Sequence, residues 1–411
     1  MNRRKAFILL GVLAALLAIA AGSLVYFAIA GGGRGGQTTT NLTPTQGSTG
    51  VNVTPIVGGT AHPGTGCGSV KNSQGTYTFS WLHVASDGKV VDENNCIVNL
   101  VGFNMAPLFL GDAVGSISAP KVAWYKQTFP MNLVRINFNS TWWDQDVYVP
   151  DAGMHFRAWL ELNVKWQEQV GNYIELDNGP NFTDPPCGGT VTFCPAQDQG
   201  KRDYQANPNP TTALELETNI QPGVQAWTDL AKLYANDPAV VYDAWNEPNI
   251  KDIPTFFHDM NTLINTIRAQ NPRALLIVYE RGLTNIQNGS EPAYQQPNIV
   301  FDAHIYPGFN GTSPIDGKHC HTPGSGNPVD AQLQQAVAYA HSHGEGFMIG
   351  EWGGCYDVPG YDSQLVSFAK ANYLPLTYFA AGDVVVSEKA TPLALNGNGL
   401  LVKADYTSIN G

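Results

Sequence analysis

Eight short, mostly apolar runs constrain this chain more than any other feature. They are Ile97–Asn104, Asn132–Asn137, Tyr173–Asp177, Val240–Asn246, Leu275–Glu280, Ile299–His304, Gly346–Glu351 and Leu376–Ala380. Each is too short for a helix and apolar along most of its length, the pattern of parallel strands covered on both faces. Amphipathic stretches separate several of them: Phe156–Val170, Thr212–Ala235, Thr255–Ala269, Val329–His343 and Ser363–Ala371. Alternating strand and helix signals predict an α/β fold, a (β/α)8 TIM barrel. A doubly wound open sheet is the alternative, but the chain has no Gly-rich phosphate loop to support it. With 43% hydrophobic and 14% charged residues in 411, a large core is affordable and a disordered chain is excluded.

The N-terminus reads differently. Asn2-Arg3-Arg4-Lys5 precedes 25 uncharged residues, Ala6–Ala30, long enough to span a hydrocarbon core of ~30 Å. The basic flank keeps the N-terminus cytoplasmic. The run is longer than a usual signal core, which favours a retained transmembrane anchor over a signal peptide cleaved near Ala28-Ile29-Ala30. Residues 31–66 hold almost no large apolar side chains and read as a flexible linker, leaving 67–411 as the barrel domain. Either reading exports the body, so the protein is expected outside the cell, anchored or secreted. An even count of six cysteines there suggests disulfides. Cys67–Cys96, Cys187–Cys194 and Cys320–Cys355 is one of 15 pairings. His319-Cys320-His321 fits no standard zinc spacing, so no metal or other cofactor is expected.

Charge narrows the partners. The first 60 residues carry four basic residues and no acid, leaving 18 basic against 34 acidic, a net −16 on the body. Nucleic acid is not expected, since it needs a cationic surface, and membrane contact is expected only through the N-terminal segment. The sequence does not indicate an oligomeric state.

Polar residues gather at the C-terminal ends of the predicted strands: Arg135, Glu175 and Asp177, Asn246-Glu247, His304-Ile305-Tyr306, and Glu351. In a barrel those ends converge on one face, where active sites sit. Glu247 and Glu351 both follow apolar runs, and a buried carboxylate needs partners or a function. Two carboxyls ~5–5.5 Å apart across a cleft are the apparatus for breaking a glycosidic bond with retention. Arg135 is a natural partner to keep Glu351 ionised. A pair of buried Glu–Arg bridges without chemistry is the plain structural alternative.

Ala244-Trp245-Asn246-Glu247-Pro248 and Ile349-Gly350-Glu351-Trp352-Gly353 resemble the fourth- and seventh-strand signatures of clan A retaining glycoside hydrolases. Leu100-Val101-Gly102-Phe103-Asn104, Leu133-Val134-Arg135 and His304-Ile305-Tyr306 narrow the resemblance to family 5, the cellulase- and mannanase-like type, over about residues 97–383. It implies endo hydrolysis of a β-1,4-linked glucan or mannan by double displacement, with Glu351 as nucleophile and Glu247 as acid/base. Asn246 would hold the sugar 2-hydroxyl, Arg135 and Tyr306 would orient Glu351, and His304 would line the site near the leaving group.

Two departures from the family pattern stand out. The third strand of such enzymes usually ends in His followed by Asn, where this chain has Asp177-Asn178; an acid there alters the charge balance or binds a hydroxyl differently. The eighth strand usually supplies a stacking Trp, where this chain offers Tyr378 or Phe379. Trp142, Trp143 and Trp352 are candidate sugar platforms. The long stretch from Gly179 to Pro210, with six prolines, is expected to shape one cleft wall. The competing readings are a non-catalytic carbohydrate-binding or structural surface barrel, and a serine hydrolase, for which no Gly-x-Ser-x-Gly elbow is present.

Overall fold

The computed structural model describes residues 61–105, 117–146, 148–149, 152–179, 220–248, 252–294, 296–306, 328–353, 360–387 and 390–410. The apolar run 6–30, the tether up to residue 60, most of the loop from Gly179 to Pro210, and Cys187, Cys194, Cys320, Cys355 and His319–His321 lie outside them. Among the described residues no helix is long and apolar enough to cross a membrane.

All eight expected strands form. They are β1 (Val101–Met105), β2 (Leu133–Phe138), β3 (Tyr173–Asn178), β4 (Val240–Asp243), β5 (Leu276–Tyr279), β6 (Ile299–Ile305), β7 (Gly346–Trp352) and β8 (Leu376–Tyr378). Each pairs in parallel with its sequence neighbours, and β8 returns to β1 through Leu376↔Val101, Thr377↔Gly102 and Tyr378↔Phe103 to close the barrel. Helices between the strands cover the outside, so the fold is a (β/α)8 TIM barrel.

Strand alternation sorts the side chains into two cores. On β3, Ile174 and Leu176 join the layer between barrel and helices, while Tyr173 belongs to the barrel interior. The same parity sends Val134, Ile136 and Phe138 outward on β2 and Leu133 inward. The lower interior is therefore an apolar floor of Leu100, Leu133, Tyr173, Val241, Leu275, Val300 and Met348. Leu82, Val90 and Val98 from the N-terminal segment plug it from below. That segment forms two small hairpins, Ser69–Lys71 with Tyr77–Phe79 and His83–Val84 with Val90–Val91. The Cys67–Cys96 disulfide ties it together. Beside the disulfide, buried Asp92 accepts the backbone N–H groups of Gly68, Asn94 and Cys96. Among the described residues backbone pairing begins at His62, which bridges to Cys96.

The helices follow from their patterns. Phe156–Val170 presents Phe156, Trp159, Leu160 and Val164 to the barrel and stops at Gly171, whose φ of 83° suits glycine. Ile253–Gln270 starts at Asp252, whose carboxylate accepts Thr255 N–H at 3.1 Å, and buries Phe256, Met260, Leu263, Ile264 and Ile267. On Gln221–Leu233, Trp227 is fully buried, meets Phe138 edge-on at 5.0 Å, and donates its Nε1–H to the Ala244 carbonyl at 2.9 Å. That bond fixes the chain just before Asn246-Glu247.

Truncating Trp227 removes both the packing and the bond. Trp227→Ala should lower the free energy of urea unfolding by about 3–5 kcal/mol. A loss below about 1 kcal/mol would mean that this contact between helix and barrel does not support the fourth strand end.

Candidate active site

Above the apolar floor the barrel interior turns polar, and one cation sits at its centre. Arg135 on β2 is fully buried. Its Nε–H donates to Glu175 Oε1 at 2.9 Å. Nη1 donates to Asn104 Oδ1 at 2.8 Å and Glu351 Oε1 at 2.7 Å. Nη2 donates to Asp243 Oδ2 at 2.9 Å and Asn246 Oδ1 at 2.8 Å. A guanidinium has five N–H groups, and all five are engaged. Asp177 Oδ2, 3.1 Å from Nη2, and Asp302 Oδ2, at 3.9 Å, lie close to the guanidinium without receiving one of its hydrogens. Burial works against the charge on Arg135, but Asp177, Asp243, Glu351 and Glu175 outweigh it and hold the guanidinium protonated.

One cation cannot keep so many buried carboxyls ionised. Burial above all, then neighbouring carboxylates, push Glu175 and Asp177 well above the usual range against the pull of Arg135. Asp243 is pushed up to about 6 by burial, with Arg135 opposing and Asp302 adding. The layer thus holds protons as well as charge.

Glu351 reaches the cleft because β7 is irregular. Up to Ile349 the strand alternates, with Phe347 and Ile349 outward and Met348 inward. The register then shifts between Ile349 and Trp352, which turns Glu351 inward and Trp352 outward. Gly350 occupies the shift: its N–H donates to Asp302 Oδ1 at 2.6 Å and its carbonyl accepts Asn104 Nδ2 at 2.9 Å. A Cβ there would lie 2.2 Å from Asp302 Oδ2, so only glycine fits. Once turned inward, Glu351 accepts Arg135 on Oε1 and the Tyr306 hydroxyl on Oε2 at 2.7 Å.

Glu247 sits past the end of β4 with φ 41°, an uncommon backbone for a side chain of its size. Among the described residues its carboxylate meets the His304 ring, with Nδ1 2.6 Å from Oε1. The other ring nitrogen is 3.1 Å from Asp302 Oδ2. Burial would lower His304, but Glu351, Asp302 and Glu247 hold it well above its ordinary value. Burial would raise Glu247, but the His304 charge and hydrogen bond hold it below. One oxygen each of Glu247 and Glu351 and a nitrogen of His304 all lie within 4.8 Å of one another. Glu175, Asp243 and Asp302 form a second such cluster. Both sets have donor types that a cation uses, but Arg135, His304 and Tyr306 already direct hydrogens at these oxygens.

These elements match a known family. The profile of Cellulase (glycosyl hydrolase family 5) covers residues 91–384. The chain belongs to glycosyl hydrolase family 5. Among curated proteins, endoglucanase A of Evansella cellulosilytica is 26% identical over 129 residues, 30% of this chain and 22% of the relative. Endoglucanase Z of Dickeya dadantii is 29% identical over 99 residues, 24% of this chain and 23% of the relative. The chain thus spans under a quarter of the length of these relatives. Among solved family 5 structures, the endoglucanase catalytic domain of Thermobifida fusca superposes with TM-score 0.55 at 14% identity, over 79% of this chain and 97% of that one. A β-glucanase of Saccharophagus degradans gives 0.56 at 14% identity, over 83% and 96%. At these identities the superpositions speak for the fold.

Of the residues singled out in the sequence, Arg135, Asp177, Asn246, Glu247, His304, Tyr306 and Glu351 converge in this family 5 barrel. The Trp candidates divide. Trp352, expected as a platform, is fully buried in the outer layer, its ring edge-on to Tyr378 at 5.1 Å; the shift at Gly350 sends it there. Trp143 is also core, 3% exposed, with Arg157 over its ring and Nε1 donating to Asp229. Trp142 is half-buried, packed against the core with its ring edge-on to Phe156 at 5.8 Å. On the eighth strand Tyr378 is buried, and half-buried Phe379 lies beside Tyr306, ring centroids 6.5 Å apart. Asn104, Asp243 and Asp302 were not singled out. Their signal was present as polar residues at inward positions of otherwise apolar strands.

The proton-rich interior sets a sign for stability against pH. Glu175, Asp177, Asp243 and His304 are all raised in the folded state. Each contributes stability below its unfolded value and loses it as pH rises through its folded one. Glu247, held low, acts in the opposite sense, and only in the acid range below its ordinary value. The thermal unfolding midpoint should therefore fall between pH 5 and 8, and Asp243→Asn should flatten the step near pH 6. A midpoint rising over that range would contradict the charge arrangement described.

Proposed function

We propose that this family 5 member is a retaining endo-β-1,4-glycanase acting on glucan, with Glu351 as nucleophile and Glu247 as acid/base. The observation that carries the reading is the unequal company of two carboxylates whose nearest oxygens lie within 4.8 Å. That spacing suits double displacement, in which no water must fit between the carboxyl and the sugar during the first step. Glu351 accepts hydrogens from a guanidinium and a phenol, neither of which gives up its proton near neutrality. Both donors aim its carboxylate, as a nucleophile requires. Glu247 faces one titratable ring 2.6 Å away, so a proton can pass to and from it, as an acid/base requires. Asn246 accepts an Arg135 hydrogen on its Oδ1, which orients its amide N–H groups for a hydroxyl.

In this mechanism Glu247 protonates the glycosidic oxygen while Glu351 attacks the anomeric carbon. The leaving chain departs, and a glycosyl ester forms on Glu351. Glu247, now ionised, takes a proton from water, which attacks the same carbon and restores Glu351. Glucan rather than mannan is supported by the curated relatives, both endoglucanases, and by the Saccharophagus degradans β-glucanase solved with cellotetraose. Trp142 and Phe379 are the proposed stacking surfaces. The protein would work outside the cytoplasm, held by residues 6–30 and reaching substrate on the tether that follows; the cysteine-tied cap suits an oxidising compartment.

The test is reducing-sugar release from β-glucans, mannans and xylans. Glucan should be cleaved best, with the β-anomer appearing first by NMR. Glu351→Gln should lower turnover at least about 1,000-fold, and Glu247→Gln about 100- to 10,000-fold on unactivated polymer. Binding without release from any polymer would replace the hydrolase reading with a carbohydrate-binding barrel, and α-anomer first would exclude double displacement.

A further inference from the structure

Among the described residues, several buried polar atoms of this site have no hydrogen-bond partner, and four of them belong to two side chains on neighbouring strands. They are both carboxyl oxygens of Asp177 and both ends of the Asn137 amide. The two residues are fully buried register neighbours, Asn137 on β2 opposite Asp177 on β3. Each lies two residues beyond Arg135 or Glu175, so each faces the barrel interior on the cleft side of that pair. Arg135 cannot satisfy Asp177: it lies 3.1 Å away, but its five hydrogens are already given to other groups. Although adjacent, the acid and the amide do not bond to each other. Leaving such an atom unpaired costs about 1–3 kcal/mol, and a run of them on neighbouring strands has the character of a site completed by something else.

We propose that Asp177 and Asn137 are a recognition pair for a vicinal diol of the sugar ring seated against Glu351. The proposal rests on the glycosidase reading and names which side chains of the cleft read hydroxyls. The chemistry fits. A diol offers two donors and two acceptors, and an acid with an amide returns both kinds. The groups facing Asp177 are Arg135 on β2, Glu175 on its own strand, Asp243 on β4 and Glu351 on β7. Burial and the three carboxylates together keep its proton on, against Arg135. As a neutral acid Asp177 can donate to a hydroxyl without adding charge beside Glu351. The family's third-strand His is replaced here by a group whose hydrogen bonds depend on that proton, so recognition should weaken as pH rises, in the direction that titration removes the donor.

Cellotetraose binding by calorimetry in a Glu351→Gln background, which prevents turnover, tests this. At pH 5, Asp177→Ala and Asn137→Ala should each weaken binding about 10-fold or more. Asp177→Asn, which keeps a donor and an acceptor, should stay within about 3-fold. Raising the pH should weaken the parent more than it weakens Asp177→Asn. Oligosaccharides lacking one ring hydroxyl of the unit at Glu351 provide a readout that survives a variant failing to fold. One such deletion should cost the parent about what Asp177→Ala costs, and cost the variant nothing further. Parent-like binding by Asp177→Ala, or indifference of the parent to every hydroxyl deletion, would overturn the pair and leave Asp177 a structural acid. If the parent binds no oligosaccharide and the native protein releases no sugar, the glycosidase reading itself fails, and the pair with it.

Discussion

Burying a guanidinium is worthwhile only if every hydrogen finds an acceptor, and Arg135 meets that condition with side chains from four regions of the barrel. Asn104 comes from β1, Glu175 from β3, Asp243 and Asn246 from β4 and just beyond it, and Glu351 from β7. Each acceptor must lie at hydrogen-bond distance in the plane of one ion, so the ion fixes the relative heights of these strands. The apolar floor below supplies hydrophobic stabilisation and does not discriminate finely among packings. The charged layer above is the reverse: a wrong neighbour there would leave an uncompensated ion, at a cost of several kcal/mol. Stability and site geometry are thus assigned to successive layers of one interior.

The cleft depends on that layer through Asp302 as well. One of its oxygens takes the Gly350 N–H and so supports the irregularity in β7; the other faces the ring of His304. A single buried carboxylate therefore helps to turn Glu351 inward and to orient the imidazole that meets Glu247. Neither contact touches a substrate in the proposed mechanism, yet both proposed catalytic groups depend on them.

Much of this was legible in the sequence because strand parity is a strong signal. The eight runs were found because parallel strands are apolar on both faces, and the polar residues at their ends pointed to one site. What parity cannot show is a change of phase. Trp352 follows Glu351 directly, and nothing in the letters Ile349-Gly350-Glu351-Trp352 says that Gly350 resets the alternation; the glycine is explained only by a carboxylate 48 positions earlier in the chain. Trp143 misled for a related reason: it lies in a short helix, Ser140–Gln145, where neighbouring residues face different ways, and of the two only Trp142 is partly exposed. Asp243 and Asp302 were hidden by the apolar runs around them, although an acid inside such a run marks either a charged layer or a broken strand.

The two carboxylates also show why proximity alone does not assign roles. Glu247 and Glu351 both lie near His304, with Nδ1 2.6 Å from one and 3.5 Å from the other. What separates them is the kind of hydrogen each receives. Arginine and tyrosine supply hydrogens that stay in place across the working range of a protein, so Glu351 lies in a fixed field. Histidine supplies one that moves, and in the free protein that proton is on the ring, with Glu247 held low beside it. In the mechanism proposed above, Glu247 must take up a proton before the first step and be ionised for the second, and the ring 2.6 Å away holds a proton within reach. Donors that keep their hydrogens suit the proposed nucleophile, and an exchangeable proton suits the proposed acid/base.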